Sequence, residues 1–383
     1  MFEEIVNFIR EQFGISDEFI PLHEPRFVGK EKEYVMDAID STYVSSVGAY
    51  VDKFEKIVTE KSGAKYAIAT SNGTSAIHIA LLMAGVKPND EVITQPLTFV
   101  ATGNAISYAN ARCVFLDVDI DTMGLSPSKL KVFLEANAEL REGVPYNKKT
   151  NSRLAACMPM HTFGFPCRID EIVEICNEFN IPVVEDAAES LGSRYKGKYT
   201  GTFGKLGVYS FNGNKTITSG GGGVIITDDK KLAKLAKHIT TTAKVSHKWE
   251  YDHDMIGYNY RMPNLNAALA CAQLEQLDSF IENKRELALI YDEFFNEKTI
   301  DFVLENSDSY SNYWLMSVIL KDISQRNDFL KFTNENKIMT RPIWKLLNKL
   351  DMFQNCQVED ISNAEWLEER VVNIPSSVRI KSQ

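Results

Sequence analysis

Lys215 ends the stretch Gly207-Val-Tyr-Ser-Phe-Asn-Gly-Asn-Lys215, and a run of four glycines follows at Gly220–Gly223. A lysine on a loop after an apolar strand, with little side-chain bulk around it, has room beside it for a flat ligand. There its amine can be partly desolvated, neutral and able to attack a carbonyl. Upstream, Ile181-Pro-Val-Val-Glu-Asp186 is an apolar run closed by an acid. A carboxylate opposite a pyridine nitrogen keeps that nitrogen protonated, so the ring can accept electrons from a carbanion. Earlier still, Thr70-Ser-Asn-Gly-Thr-Ser75 leads directly into an apolar helix. Gly73, Thr74 and Ser75 would present N–H groups and hydroxyls to a dianion at that helix start. An amine, an acid and an anion-binding turn are together what pyridoxal 5'-phosphate (PLP) requires of a protein. Taken singly, each has a plainer meaning: a solvated lysine, a turn or N-cap aspartate, and simple capping by Ser71 or Thr74.

Other residues join this set with less force. Ser210, in the strand before Lys215, could add a hydroxyl for the phosphate. Phe99 could stack on a flat ring, although core packing is the commoner fate of a phenylalanine in such a setting. His161, in Met160-His-Thr-Phe-Gly164, falls at another strand end and could touch the site or be structural. Glu185 alternates to the opposite face from Asp186. The glycine run matches neither the dinucleotide nor the P-loop pattern.

The elements that must position these residues alternate between strand and helix. Apolar strands are expected at Tyr66–Thr70, Glu91–Thr94, Cys113–Asp117, Leu154–Pro159, Ile181–Glu185, Val208–Phe211 and Gly223–Thr227. Helices fall between them at Ser75–Gly85, Phe99–Ala109, Ser126–Ala138 and Ile169–Asn180, and one follows at Lys230–Ile239. This pattern argues for an α/β fold with a mostly parallel sheet covered by helices on both faces. Ligands of such sheets sit at the carboxyl ends of the strands, where the three motifs lie. Phe2, Ile5, Val6, Ile9 and Phe13 repeat at helical spacing. The expected organisation is therefore an N-terminal amphipathic helix (1–20), a large domain (21–256) and a smaller α+β domain (257–383). Residues 139–153 and 244–256 read as polar surface loops, and one long helix is expected from Asn264 to about Phe295.

With 383 residues, 44% hydrophobic and 25% charged, the chain can bury a sizeable core. Its net charge of −10 and lack of a basic block argue against nucleic acid or an anionic membrane as the main partner. The six cysteines form no C-x-x-C pair, so they support no metal site and suit a reducing compartment. The acidic start and the absence of a membrane-length apolar run fit a cytoplasmic protein.

The motifs resemble the DegT/DnrJ/EryC1/StrS family of PLP-dependent nucleotide-sugar aminotransferases from about Pro21 to Ile380. The resemblance rests on Ser71-Asn-Gly-Thr-Ser-Ala76, Thr98-Phe-Val-Ala-Thr102, Val184-Glu-Asp-Ala-Ala188, Tyr209-Ser-Phe-Asn-Gly-Asn-Lys215 and Gly257-Tyr-Asn-Tyr-Arg-Met262. It implies PLP fold type I, the aspartate aminotransferase-like architecture. It implies that Lys215 forms the Schiff base and Asp186 pairs with the pyridine nitrogen. Gly73, Thr74, Ser75 and Ser210 would hold the phosphate, and Phe99 would stack on the ring. Asn259 would reach the phosphate from the neighbouring subunit of a homodimer with shared sites. Glu189 stands where many members carry glutamine or histidine near the cofactor. Within the family the chain is most similar to aminotransferases of legionaminic-acid or bacillosamine-type pathways, through Pro21-Leu-His-Glu-Pro-Arg-Phe27 and Ile374-Pro-Ser-Ser-Val-Arg-Ile380 among others. These act on C4 of a nucleotide-linked 4-keto-6-deoxy-N-acetylhexosamine, with glutamate as donor. Arg26, Lys30, Lys248, Arg261 and Arg341 are candidate partners for the diphosphate of the substrate. A sugar dehydratase, a C3 aminotransferase and a non-catalytic sensor are the alternative readings.

Overall fold

The computed structural model describes residues 1–380; the last three residues of the expected C-terminal unit lie outside the described residues. The alternating apolar strands do form one continuous sheet. Its spatial order is Tyr66–Thr70, Gly223–Thr227, Leu206–Ser210, Val184–Asp186, Leu154–Met158, Glu91–Thr94, Arg112–Phe115 and Gln357–Val358. Bridges Cys157↔Val183 and Met160↔Asp186 join its two halves. The order is parallel from Leu206–Ser210 onward, and Gly223–Thr227 runs antiparallel to both of its neighbours.

Period-two side-chain alternation sends each strand's apolar residues to two different cores. On one face, Ile68, Val184, Val208 and Ile225 bury the helix Gly73–Ala84, together with Val92, Phe115 and Met158. That helix is apolar nearly all round, as a helix covered on every side must be. On the other face, Ala69, Tyr209, Val224 and Ile226 pack on Phe54 and Val58 of the helix Ala49–Ser62, and on Ala267 and Cys271 of the helix Asn264–Leu274. Further along, Ile93, Val114 and Cys157 cover Leu130 and Ile172 of the helices Pro127–Asn137 and Ile169–Glu178.

A second, antiparallel sheet is built from Asp301–Phe302, Met316–Ile319, Val371–Ile374 and Arg341–Pro342 in that order. Its core takes in Ile5, Val6 and Ile9 of the N-terminal helix, Tyr291 and Phe329. Packing cuts across the boundaries expected from sequence. The N-terminal helix is part of the smaller unit's core, Asn264–Leu274 belongs to the larger one, and Gln357–Val358 adds a strand to the larger sheet's edge. Linear position could not reveal this, because each segment's partner lies far away in sequence.

Local differences have local causes. The long helix expected from Asn264 divides into Asn264–Leu274 and Leu277–Phe295. The polar stretch at 139–153 folds largely as a hairpin, Ala138–Arg141 against Val144–Asn147, with Gly143 at φ +80 in its turn. The stretch at 244–256 contains a short antiparallel pair, Lys244–Val245 with Asp252–His253.

The last residue of the glycine run, Gly223, is dictated by close backbone approach. A Cβ there would stand 2.4 Å from the Asn72 carbonyl oxygen and 2.7 Å from the Gly73 nitrogen. Both are backbone atoms that cannot swing aside. Gly223→Ala should therefore destabilise the fold by about 1–3 kcal/mol and displace the Asn72–Thr74 turn. Thermal unfolding and cofactor affinity should both fall; an unchanged melting temperature would count against the close approach.

Candidate active site

The strand ends and one helix start meet around a cavity of about 680 Å³, lined among others by Asn72, Gly73, Thr74, Phe99, Asp186, Glu189, Ser210, Lys215, Trp314, Arg341 and Trp344. Asp186 ends the strand Val184–Asp186 and is 2% exposed. Thr102 Oγ1 donates to its Oδ2 at 2.7 Å, and the Ala188 N–H donates to Oδ1 at 3.2 Å. Burial raises the Asp186 carboxyl above its ordinary range, while these two donors and the Lys215 charge pull it down. A buried acid with two neutral donors and an open cavity beside it suits a protonated ring nitrogen.

Opposite the acid, the helix Gly73–Ala84 points its start into the cavity. Asn72 caps it, its Oδ1 accepting the Ser75 N–H at 2.8 Å. The first N–H groups of a helix have no partner within it, and the helix dipole makes that end positive. Gly73 is required there: a Cβ would lie 2.9 Å from Ser210 Cβ and 3.0 Å from its Oγ. The turn and the Ser210 hydroxyl therefore form one compact cradle. Ser75 is not on the cavity wall; its N–H serves the cap, and its hydroxyl accepts from Ser71 Oγ at 3.3 Å.

Lys215 Nζ lies 3.0 Å from Glu189 Oε1 and 3.8 Å from the centre of the Trp314 ring. The other oxygen of Glu189 accepts the Phe163 N–H at 3.0 Å. Burial raises the Glu189 carboxyl to about 7, with the Lys215 ammonium and the Phe163 N–H pulling the other way. Phe99 stands at the mouth, 48% exposed, with its ring 6.2 Å from that of Trp344. Arg341 lies on the rim, where its guanidinium holds Asn334 Oδ1 and the Thr340 carbonyl.

Besides Ser75, several other expected site residues, Lys30 and Lys248 among them, lie off the cavity wall. His161 is fully buried with both nitrogens engaged: Nε2 is 3.0 Å from Glu185 Oε2, and Nδ1 accepts the Cys167 N–H at 3.2 Å. It braces the sheet rather than facing the cavity. Arg26 donates to the Val378 carbonyl and pairs with Glu24, which ties the N-terminal segment to the C-terminal one. Asn259 and Arg261 are off this chain's cavity; Arg261 Nη2 donates to Asn259 Oδ1 at 3.0 Å. Conversely, Thr102, Trp314 and Trp344 belong to the site without having been assigned a role from sequence. Thr102 was visible only within the Thr98–Thr102 motif. The two tryptophans come from the smaller unit, and nothing in their local spacing points to Lys215.

The buried acid, the helix-start cradle, the amine and the aromatic mouth make a donor set that fits PLP. Among the described residues no cluster of metal-ligating side chains occurs, and no helix is long and apolar enough to cross a membrane. The model of the DegT/DnrJ/EryC1/StrS aminotransferase family matches residues 25–383, and the chain belongs to that family. It is 39% identical over 358 residues to a GDP-perosamine synthase of Escherichia coli O157:H7, covering 94% of this chain and 93% of the relative. It is 37% identical over 335 residues to EpsN of Bacillus subtilis, named as a candidate pyridoxal phosphate-dependent aminotransferase, covering 87% and 84%. In fold it matches the crystal structure of the aminotransferase TlmJ from Streptoalloteichus hindustanus with a TM-score of 0.84, covering 94% and 93% of the two chains at 24% identity. The architecture is PLP fold type I, and the chain is a PLP-dependent nucleotide-sugar aminotransferase.

Glu189 gives a pH signature in the protein freed of cofactor. Its folded value of about 7 lies above the ordinary 4.5, so the folded state holds more protons between those values. The corresponding stability is complete below about pH 4.5 and is lost as pH rises through about 7. Denaturant unfolding at pH 5 and pH 8 should show a loss on the order of 3 kcal/mol in wild type that Glu189→Gln lacks. Equal pH slopes would show that the carboxyl titrates normally.

Proposed function

We propose that the enzyme transfers an amino group from an amino acid, glutamate first, to C4 of a nucleotide-linked 4-keto-6-deoxyhexose. The observation that carries this is the convergence of Lys215, Asp186 and the Gly73–Thr74 helix start on one cavity, in a chain so similar to a GDP-perosamine synthase. Bound PLP supplies an electron sink and a temporary carrier of the amino group. Asp186 would accept the ring N–H, its buried setting keeping that charge pair out of water. Gly73, Thr74 and Ser210 would hold the phosphate, and Phe99, at the mouth, would shield the ring. Lys215 Nζ takes the α-proton from the amino-acid donor and later returns a proton to C4 of the sugar, acting as base and then acid. Glu189, 3.0 Å away, keeps the free amine within the cavity between these steps. Arg341, on the rim, is placed to meet the substrate's diphosphate, and its planar fork suits phosphate oxygens.

The similarity to the GDP-perosamine synthase favours a GDP carrier, whereas the N- and C-terminal motifs favour an N-acetylated sugar. A homodimer with shared sites is part of the proposal. Asn259 is exposed on its own chain and away from its own cavity, as a residue reaching into a neighbour's site would be.

The purified enzyme, PLP and glutamate are to be offered GDP-4-keto-6-deoxymannose and, separately, UDP-4-keto-6-deoxy-N-acetylglucosamine. Product mass should show oxygen replaced by an amino group with one of them, at a glutamate cost of one per product. Lys215→Ala should lower turnover by at least about a thousandfold, as loss of a nucleophile and proton carrier does. Turnover of either sugar without consumption of an amino donor would replace transamination by a dehydratase-type reaction.

A further inference from the structure

Two aromatic residues near the site hold a backbone conformation that side chains of their size avoid. Phe163 has φ +56 and Tyr313 has φ +47. A bulky residue in the left-handed region is strained and persists only where its surroundings over-determine it. Each of these residues aims a neighbouring group at the same amine. Phe163 uses its N–H to hold Glu189, whose other oxygen meets Lys215 Nζ. Tyr313 turns the chain so that the next residue, Trp314, lays its indole face 3.8 Å from that Nζ.

The Trp314 side is built with unusual redundancy. Its Nε1–H donates at 2.7 Å to the carbonyl of Asn214, the residue immediately before the lysine. Its own N–H is taken by Asn312 Oδ1 at 2.8 Å. The Asn312 amide donates to the carbonyls of Glu189 and Leu191, at 2.9 and 3.0 Å. The segment Ser311–Trp314 therefore grips the Lys215 loop and the Glu189 backbone at once, from the smaller structural unit.

We propose that Trp314 is the positioning residue of Lys215. Its indole and the Glu189 carboxylate form a cradle that holds the uncombined amine aimed into the cavity. The Nε1–H bond to Asn214 fixes the backbone from which the lysine extends. The strain at Tyr313 is the conformational cost of that placement. This rests on the PLP reading of the site and adds a residue to it.

Two measurements on cofactor-free protein separate positioning from simple packing. The first is the rate at which added PLP becomes covalently attached to Lys215, trapped with borohydride and counted by peptide mass. The second is the affinity for pyridoxamine phosphate, which has no aldehyde and tests the acid and phosphate cradle alone. Trp314→Leu, which frees the amine from its aim, should slow attachment roughly tenfold, within what a misplaced reacting group costs, and should lower pyridoxamine phosphate affinity by clearly less than that. Trp314→Phe, which keeps a ring face but loses the Nε1–H bond and is the gentler change for folding, should fall between. Attachment at the wild-type rate in both variants, or equal loss of attachment and of pyridoxamine phosphate affinity, overturns the positioning role. A wild-type chain that attaches no PLP would instead overturn the cofactor reading.

Discussion

A carboxylate buried at a strand end is the constraint around which this protein is arranged. Asp186 is out of water, and a bare charge there would be costly. Thr102 and the Ala188 N–H offset part of that cost, and a positively charged ring nitrogen would offset the rest. Three residues further on, Glu189 is equally buried and answers the amine of Lys215. Two buried acids and one largely buried lysine thus meet at one cavity. Their electrostatic coupling is stronger than it would be at a surface, because the dielectric between them is low.

The larger sheet supplies this set from below. The strands bearing Asp186 and Ser210 are adjacent and parallel, so their carboxyl ends open on the same edge. The antiparallel strand Gly223–Thr227 then lies against both Tyr66–Thr70 and Leu206–Ser210. Its first residue has no side chain, and this lets the Asn72–Thr74 turn close on Ser210. The smaller unit supplies the opposite wall through Trp314, Arg341 and Trp344. The site thus takes its two acids, its lysine and its helix start from one unit, and Arg341 and both tryptophans from the other.

Much of this was legible in the linear chain. Strand and helix alternation marked the sheet, and Lys215, Asp186 and Gly73–Ser75 stood at strand ends where ligands of such sheets bind. Ser75 shows the resolution limit of motif reading, since it directly follows the wall residue Thr74 yet gives its N–H to the Asn72 cap. His161 stood at a strand end too, yet the backbone turned it inward to Glu185. Arg26 looked like a free cation because its carbonyl partner, Val378, lies at the other end of the chain. Polar side chains take their partners from three dimensions, whereas apolar periodicity is a local signal.

The sequence by itself determined the α/β class and the family, and it singled out Lys215, Asp186 and the Gly73–Thr74 turn as candidates, because these depend on local periodicity and on residue types at short spacing. Tertiary structure alone decided that the N-terminal helix completes the smaller core, that Glu189 and Trp314 both meet Lys215, and that His161 and Arg26 serve the scaffold. Those outcomes depend on residues separated by 24 to 352 positions being brought within a few ångströms. Burial, strain and close approach are properties of that juxtaposition and have no local trace.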